Sequence, residues 1–262
     1  MLNLLFCNQL YLGLAQAFIT AFVAMLVVLL ARKRGIHLES ETLIAMLRGI
    51  IQIIAVGSIL LLLLRAPRWT SGFLLAGMIV AAGAISGRRA KDIPDAFRVS
   101  ACSIAFGAGS VIALMTWLGV IDTAITSLVP VGSMLIANAM NTNGLALNRF
   151  RSDVLAHVGE IETALALGAE AKTSVSPYVQ ASIESSLIPA IDSIRSLGIV
   201  WIPGLMAGML LSGARPVYAA VYQFVVLAMI FAASGLTSLV STLLIRDRIF
   251  TPAQQLSLQP GR

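Results

Sequence analysis

Ionisable side chains are scarce in this chain: Asp, Glu, Lys and Arg make up 11% of its 262 residues, against about 25% in soluble domains. Histidine is scarcer still. His37 and His157 stand alone, with no His-Glu-x-x-His helix and no nucleophile elbow, so no constellation for hydrolytic chemistry is present and the chain is not expected to be an enzyme. Cys7 and Cys102 lie far apart and form no CxxC pair, which excludes a disulfide framework and a thiolate metal site. Lysine occurs only at Lys33, Lys91 and Lys172, following Arg, Ala and Ala, so the Gly-x-x-x-x-Gly-Lys-Ser/Thr phosphate loop is missing and ATP is not bound by that route. The first apolar run has no basic region before it and no small-residue cleavage site, so it is expected to be retained as a span rather than removed as a signal peptide.

What fills the chain is apolar: 58% of its residues are hydrophobic, above the usual 45–50% or so. A bilayer needs about 20 apolar residues per helix. Runs of that length fall near 10–31, 43–64, 69–87, 99–119, 126–148, 190–212 and 217–245, which predicts an all-α integral membrane protein of seven spans. They leave no room for a separate soluble domain, so residues 1–262 are expected to form one transmembrane domain.

Charge sorting orients it. Arg32, Lys33 and Arg34 follow the first run; Arg88, Arg89, Lys91 and Arg98 the third; Arg149, Arg151 and Lys172 the fifth; Arg246 and Arg248 the last. The alternate connections hold only Arg65, Arg68 and Arg215, which places the N-terminus outside and the C-terminus inside. Glu39, Asp92, Asp95, Asp153, Glu160, Glu162, Glu170 and Glu184 sort to the same inner side, Asp122 being the exception. The net charge of +6 therefore describes helix anchors, and nucleic-acid binding is not expected. Lipid is the surrounding partner.

Three stretches stand out. Arg48 and Gln52 lie one turn apart on one face of the second span, where Arg either serves a pathway or snorkels to the headgroups. In the fifth span, opening near Pro130, Met134, Asn138, Asn141, Leu145 and Asn148 recur at steps of four and three. That stripe either bonds neighbouring helices or lines a pathway. In the sixth, Pro203-Gly204 predicts a kink or unwound turn, either a gate or a packing kink, with Met206 and Met209 just beyond on one side. Soft thioethers suit Cu(I), but core packing is the plainer account of them.

Between the fifth and sixth spans, residues 149–188 interrupt the membrane pattern for longer than a tight connection needs. Glu162-Thr-Ala164 followed by Leu167, Gly168 and Ala169 reads as an elbow on the membrane surface that a partner could push. Ile161, Leu165, Gly168 and Ala169 share one face; Glu160, Glu162 and Glu170 are expected free for solvent or a partner. A break near Gly168 and Pro177 should lead to a second helix running from Pro177 into Pro189. The plainer reading is a connector resting on headgroups.

Arg48-Gly-Ile-Ile-Gln52 with Gly57, Leu145-Ala-Leu-Asn-Arg149, Ala164-Leu-Ala-Leu-Gly-Ala169, and Ile202-Pro-Gly-Leu-Met-Ala-Gly208 through Leu211-Ser-Gly213 together resemble the FetB-like family of ABC permeases, which includes bacterial iron exporters and plant aluminium-tolerance proteins. The resemblance implies a cell-membrane permease subunit, two copies working with two separately encoded ATPase subunits that carry the ATP and Mg. No cofactor is then expected on this chain. It implies that Glu162, Ala164, Leu167, Gly168 and Ala169 couple to the ATPase, and that a metal ion such as iron is exported. The Glu-Ala-Ala importer signature is matched at Glu162, Ala164 and Gly168, but Thr163 replaces one Ala and Leu187-Ile-Pro189 falls several residues late; Leu205 stands where the iron exporters usually carry Met. Two other classes fit the composition: an ATP-independent channel or secondary carrier using Arg48, and a membrane scaffold or sensor holding a soluble partner.

Overall fold

The computed structural model describes residues 9–35, 37, 39–63, 67, 69–90, 95–251 and 255–258; Cys7, Arg65, Arg68, Lys91 and Asp92 lie outside the described residues. It divides into two compact units, Met1–Ala66 and Pro67–Arg262. In the first, α1 (Gln9–Arg32) and α2 (Glu39–Leu63) pack on each other. Gly35 takes the left-handed conformation (φ 78°) in the connection, and Arg32 pairs with Glu39 at 3.2 Å.

The second unit contains α3 (Thr70–Gly87), a 3-10 turn Arg88–Ala90, α4 (Ala96–Trp117), α5 (Ile125–Ala156), α6 (Val158–Ala166), the single turn α7 (Ala171–Ser174), α8 (Ser176–Ser196), α9 (Gly204–Leu211) and α10 (Pro216–Arg246). Among the described residues there is no strand, only two isolated bridges, Leu197–Trp201 and Phe250–Leu256. The protein is an all-α, multi-pass membrane protein. Among the described residues five helices, α1 to α4 and α10, are long and apolar enough to cross a bilayer.

The expected fifth and sixth spans take another form. The fifth run starts earlier than Pro130: Asp122 Oδ1 accepts the Ala124 N–H at 3.1 Å, and helix begins at Ile125 with Pro130 inside it. It also continues past Asn148 to Ala156, 32 residues or about 48 Å, because nothing from Arg149 to Ala156 breaks a helix and Arg149 pairs with Asp153 one turn on at 2.9 Å. The second inner helix does not stop at Pro189; α8 runs through it to Ser196. Of the two forms expected at Pro203-Gly204, a kink or an unwound turn, the sixth run takes the unwound one. Residues 197–203 form an irregular connection and α9 restarts at Gly204, with Pro203 extended (ψ 148°) at its N-cap.

α10 is the centre of this unit, packing along α4, α5, α8 and α9, while α3 closes the other side of α4 and α5. Small residues set the spacing, as expected where lipid gives helices no hydrophobic reason to associate. A Cβ built on Gly107 of α4 would lie 2.6 Å from the Thr237 backbone N and 2.9 Å from the Ala233 carbonyl of α10. One built on Gly83 of α3 would lie 2.7 Å from the Ala101 Cα of α4. Buried polar groups cross the same seams: Asn143 donates to Ser86 Oγ at 2.6 Å, and the hydroxyls of Ser186 and Ser238 meet at 2.8 Å.

Two apolar clusters result. One, around Ile104, Leu135, Ala139, Val226 and Ile230, fills the middle of the helix packing. The other joins the N-terminal end of α4 and the C-terminal ends of α5 and α10 to α6, the start of α8 and the chain's end, through Val99, Phe150, Ile161, Val179, Ile249 and Leu258. The second is ringed by charge: Arg248 pairs with Asp95, and Lys172 with Asp247 at 3.5 Å.

Candidate functional site

Two places in the second unit carry the features singled out in the sequence, and α8 connects them. The first is the corner between α6 and α7. Ala164, Leu165 and Ala166 close α6, and the chain then needs a residue that tolerates positive φ. Gly168 supplies it at φ 90°. Its N–H donates to Leu165 O and that of Ala169 to Ala164 O, both at 3.0 Å, the paired bonds of a Schellman cap. The cap leaves Leu167 84% exposed at the tip, flanked by exposed Glu162 and Gly168, while Ile161, 1% exposed, pins the helix to the second cluster. Ala164 and Ala169 are half-buried.

Glu160 is not free as expected. Its carboxylate accepts the Tyr178 hydroxyl at 3.2 Å, and the Tyr178 ring stacks on His157 with centroids 5.0 Å apart. Desolvation first, then the hydrogen bond and negative charge of Glu160, push the Tyr178 hydroxyl above its ordinary pKa. These contacts tie α6 to the foot of α8, so the corner is braced on two sides.

The second place is a cavity of about 260 Å³ bounded by α5, α8, α10 and the 197–203 connection. Asn138 and Asn141 of the predicted stripe line it, with Met134, Thr142 and Leu145; Pro189, Ala190 and Ser193 come from α8, Trp201, Pro203 and Gly204 from the connection, and Gln223, Leu227 and Ile230 from α10. The connection is held by its own bonds. Gly198 at φ 75° donates to Trp201 O at 3.1 Å, and the Trp201 indole N–H donates to Ser196 Oγ at 3.1 Å. Proline at 203 fixes its end, since it has no N–H to continue a helical ladder.

The polar wall is uncharged. Asn138 Nδ2 donates to Met134 O at 2.8 Å and Ser193 Oγ to Pro189 O at 2.8 Å, each spending a donor within its own helix. Gln223 differs: it is 1% exposed, and neither its Oε1 nor its Nε2 meets a protein hydrogen-bond partner. Buried amides are normally paired, so this one marks the wall.

The remaining sequence candidates lie elsewhere. Asn148 is exposed on α5, roughly 15 Å along the axis from Asn138, and does not line the cavity. Met206 and Met209 are half-buried on α9, and neither lines it. Arg48 and Gln52 are exposed on α2 of the first unit. No group of three or more His, Cys, Asp or Glu that could hold a metal occurs among the described residues. Gln223, Thr142, Ser193 and Trp201 were not singled out in the sequence; a lone amide inside the apolar run of α10 was the available signal.

Together these elements define an all-helical, multi-pass membrane protein with an uncharged polar cavity between its helices. More particularly, the chain belongs to the uncharacterised protein family UPF0014, whose model matches residues 14–250. It is 36% identical over 242 residues to the UPF0014 membrane protein STAR2 of Oryza sativa subsp. japonica, covering 91% of this chain and 84% of that one. It is 30% identical over 247 residues to the protein ALUMINUM SENSITIVE 3 of Arabidopsis thaliana, covering 93% and 90%. It is also 30% identical over 245 residues to the "Probable iron export permease protein FetB" of Escherichia coli strain K12, covering 93% of each. No solved structure matches the chain.

Proposed function

We propose that this chain is the permease subunit of an ATP-driven ABC transporter that exports a metal ion such as iron, working as two copies with two separate ATPase subunits. In this reading the membrane is crossed seven times with the N-terminus outside, and the sixth crossing is the broken stretch at 190–212, from the last turns of α8 through α9. The observation that carries the reading is α8: one continuous helix of 21 residues, about 31 Å, leads from the α6–α7 corner to the cavity wall. A push on the corner has a rigid path to Pro189, Ala190 and Ser193.

The corner suits a partner. Leu167 offers an apolar tip, the Schellman cap fixes its shape, and Ile161 keeps it from yielding independently of the helices below. Closure of two ATPase subunits on ATP would drive the two corners, tilt α8 against α10, and let the 197–203 connection absorb the motion. ATP binding and hydrolysis on the partner then bias inward against outward access here. The names of the relatives support both the transport role and the metal: one is an iron export permease by name, another is named for aluminium sensitivity.

The test is Gly168→Leu. At φ 90° a branched side chain is strained, so the cap should reshape while the spans still insert. The variant is expected to reach the membrane at parental levels, to lose co-purification with the proposed ATPase subunit, and to lose ATP-dependent metal export from cells. Full ATPase association together with full transport in this variant would overturn the docking role.

A further inference from the structure

The cavity restricts the form in which a substrate can be held. Its wall presents carboxamides at Asn138, Asn141 and Gln223, hydroxyls at Thr142 and Ser193, a single thioether at Met134 and the Trp201 ring, with no carboxylate, imidazole, thiolate or basic group among its lining residues. Gln223 is enclosed with an acceptor and a donor both unpartnered by protein. A bare cation would engage Oε1 and leave Nε2 unpaired. It would also surrender its water to neutral oxygens, and polyvalent ions are ordinarily held by charged carboxylates for that reason. An ion carrying only water is no better matched, because metal-bound water donates hydrogen bonds and the amide nitrogens need acceptors.

Resting on the permease reading above, we infer that this cavity binds its metal as a charge-neutral complex with a small oxyacid, contacted through Gln223, Asn141 and Thr142. Anionic oxygens on the complex accept from Gln223 Nε2 and Asn141 Nδ2. Hydroxyls or waters of its shell donate to Gln223 Oε1. The ion's charge is cancelled by its own ligand, so an uncharged wall suffices. A volume of about 260 Å³, roughly nine water-sized volumes, is large for a naked ion and admits a complex of that size.

The experiment uses the full-length chain in lipid nanodiscs and gallium(III), a redox-inert trivalent ion, mixed with one equivalent of citrate so that the formal charges cancel. Retained gallium is counted by mass spectrometry after equilibrium dialysis, in parallel with citrate alone and with citrate-free Mn(II). Gallium citrate should be retained saturably, with the two controls at least tenfold weaker. Gln223→Leu and Asn141→Ala should each weaken retention at least tenfold while their melting temperatures stay within a few degrees of the parent. Equal retention of free Mn(II) or of citrate alone would overturn the inference, as would unchanged retention in both variants. Neither result touches ATPase association, so loss of the permease reading itself would be seen separately in the Gly168→Leu test.

Discussion

Replacing Gly107 by alanine adds one methyl group at the closest approach of α4 and α10, and the structure says how much room it lacks. The new Cβ would lie 2.1 Å from Thr237 Oγ1, 2.6 Å from Thr237 N and 2.9 Å from Ala233 O, where ordinary contact is 3.4–4 Å. The threonine hydroxyl can rotate away, but the two backbone atoms can retreat only if α10 moves by roughly half an ångström or more, which loosens its packing on α5 and α8. Overpacking of this kind costs about 1–3 kcal/mol, against a gain of up to about 1 kcal/mol from alanine's helix propensity. A net loss of up to about 2 kcal/mol should lower the melting temperature by up to roughly 8 °C for a unit of this size. Gly109, two residues on, has nothing within 4 Å of a built Cβ, so Gly109→Ala should be neutral or stabilising. Thermal melts of the detergent-solubilised chain, followed by circular dichroism, compare the pair directly. Equal melting temperatures for the two variants would refute the close α4–α10 contact.

Gln223→Leu removes a buried amide with no protein partner, so its stability should be unchanged or raised by about 1 kcal/mol even as retention of the metal complex falls; a melting temperature lowered by more than about 5 °C would mean the amide is paired. Ile161→Ala should cost about 2–5 kcal/mol of local stability and speed amide exchange across α6 and the foot of α8, leaving α3 and the C-terminal half of α4 protected; uniform exchange changes would refute separate anchoring of the corner. At high pH the Glu160–Tyr178 tie should fail. Because the Tyr178 pKa is raised in the folded chain, the stability it contributes is fully present below the ordinary tyrosine value and is lost as pH rises through the folded one. Tyrosinate absorbance should therefore titrate later in the parent than in Glu160→Gln, and coincident curves would exclude the tie.

The features legible from sequence were those that depend on local chemistry. Apolar length identified the helices now numbered α1 to α4 and α10, Gly168 marked the corner through its tolerance of positive φ, and Pro203 marked the interruption through its missing N–H. The spacing of Asn138 and Asn141 put them on one face, and both line the cavity. What sequence reasoning missed depends on tertiary packing. Asn148 fits the same periodicity, but periodicity carries no information on depth, and the cavity ends near Leu145. The helix expected from Pro177 into Pro189 continues through the proline for seven more residues, and Ser193 donates to the Pro189 carbonyl. Met206 and Met209 follow the break closely, yet α9 does not turn either of them into the cavity. Gln223 was overlooked because one amide in a 31-residue apolar helix changes no average.

That last residue bears on how the broken segment works. A continuous sixth helix could carry tilt but would hold the wall rigid from end to end; in the proposed transporter the irregular connection at 197–203 would let α8 move while α9 stays with α10, to which it packs. Such a movement would change the distance from Ser193 and Pro189 to Gln223, which line the same cavity, and so whether the buried amide is shared with a substrate or left to water. An unpaired amide costs about 1–3 kcal/mol, comparable to the differential affinity needed to shift access between two states by about ten- to a hundredfold. On the proposed function, coupling would require no charged residue in the cavity, only a difference in hydrogen bonding between two positions of α8. It predicts that Gln223→Asn, which keeps the amide but draws it back by one methylene, should bind substrate more weakly in both states and lower the stimulation of the partner's ATPase by substrate. Unaltered stimulation in Gln223→Asn, with binding intact, would place the coupling elsewhere in the wall.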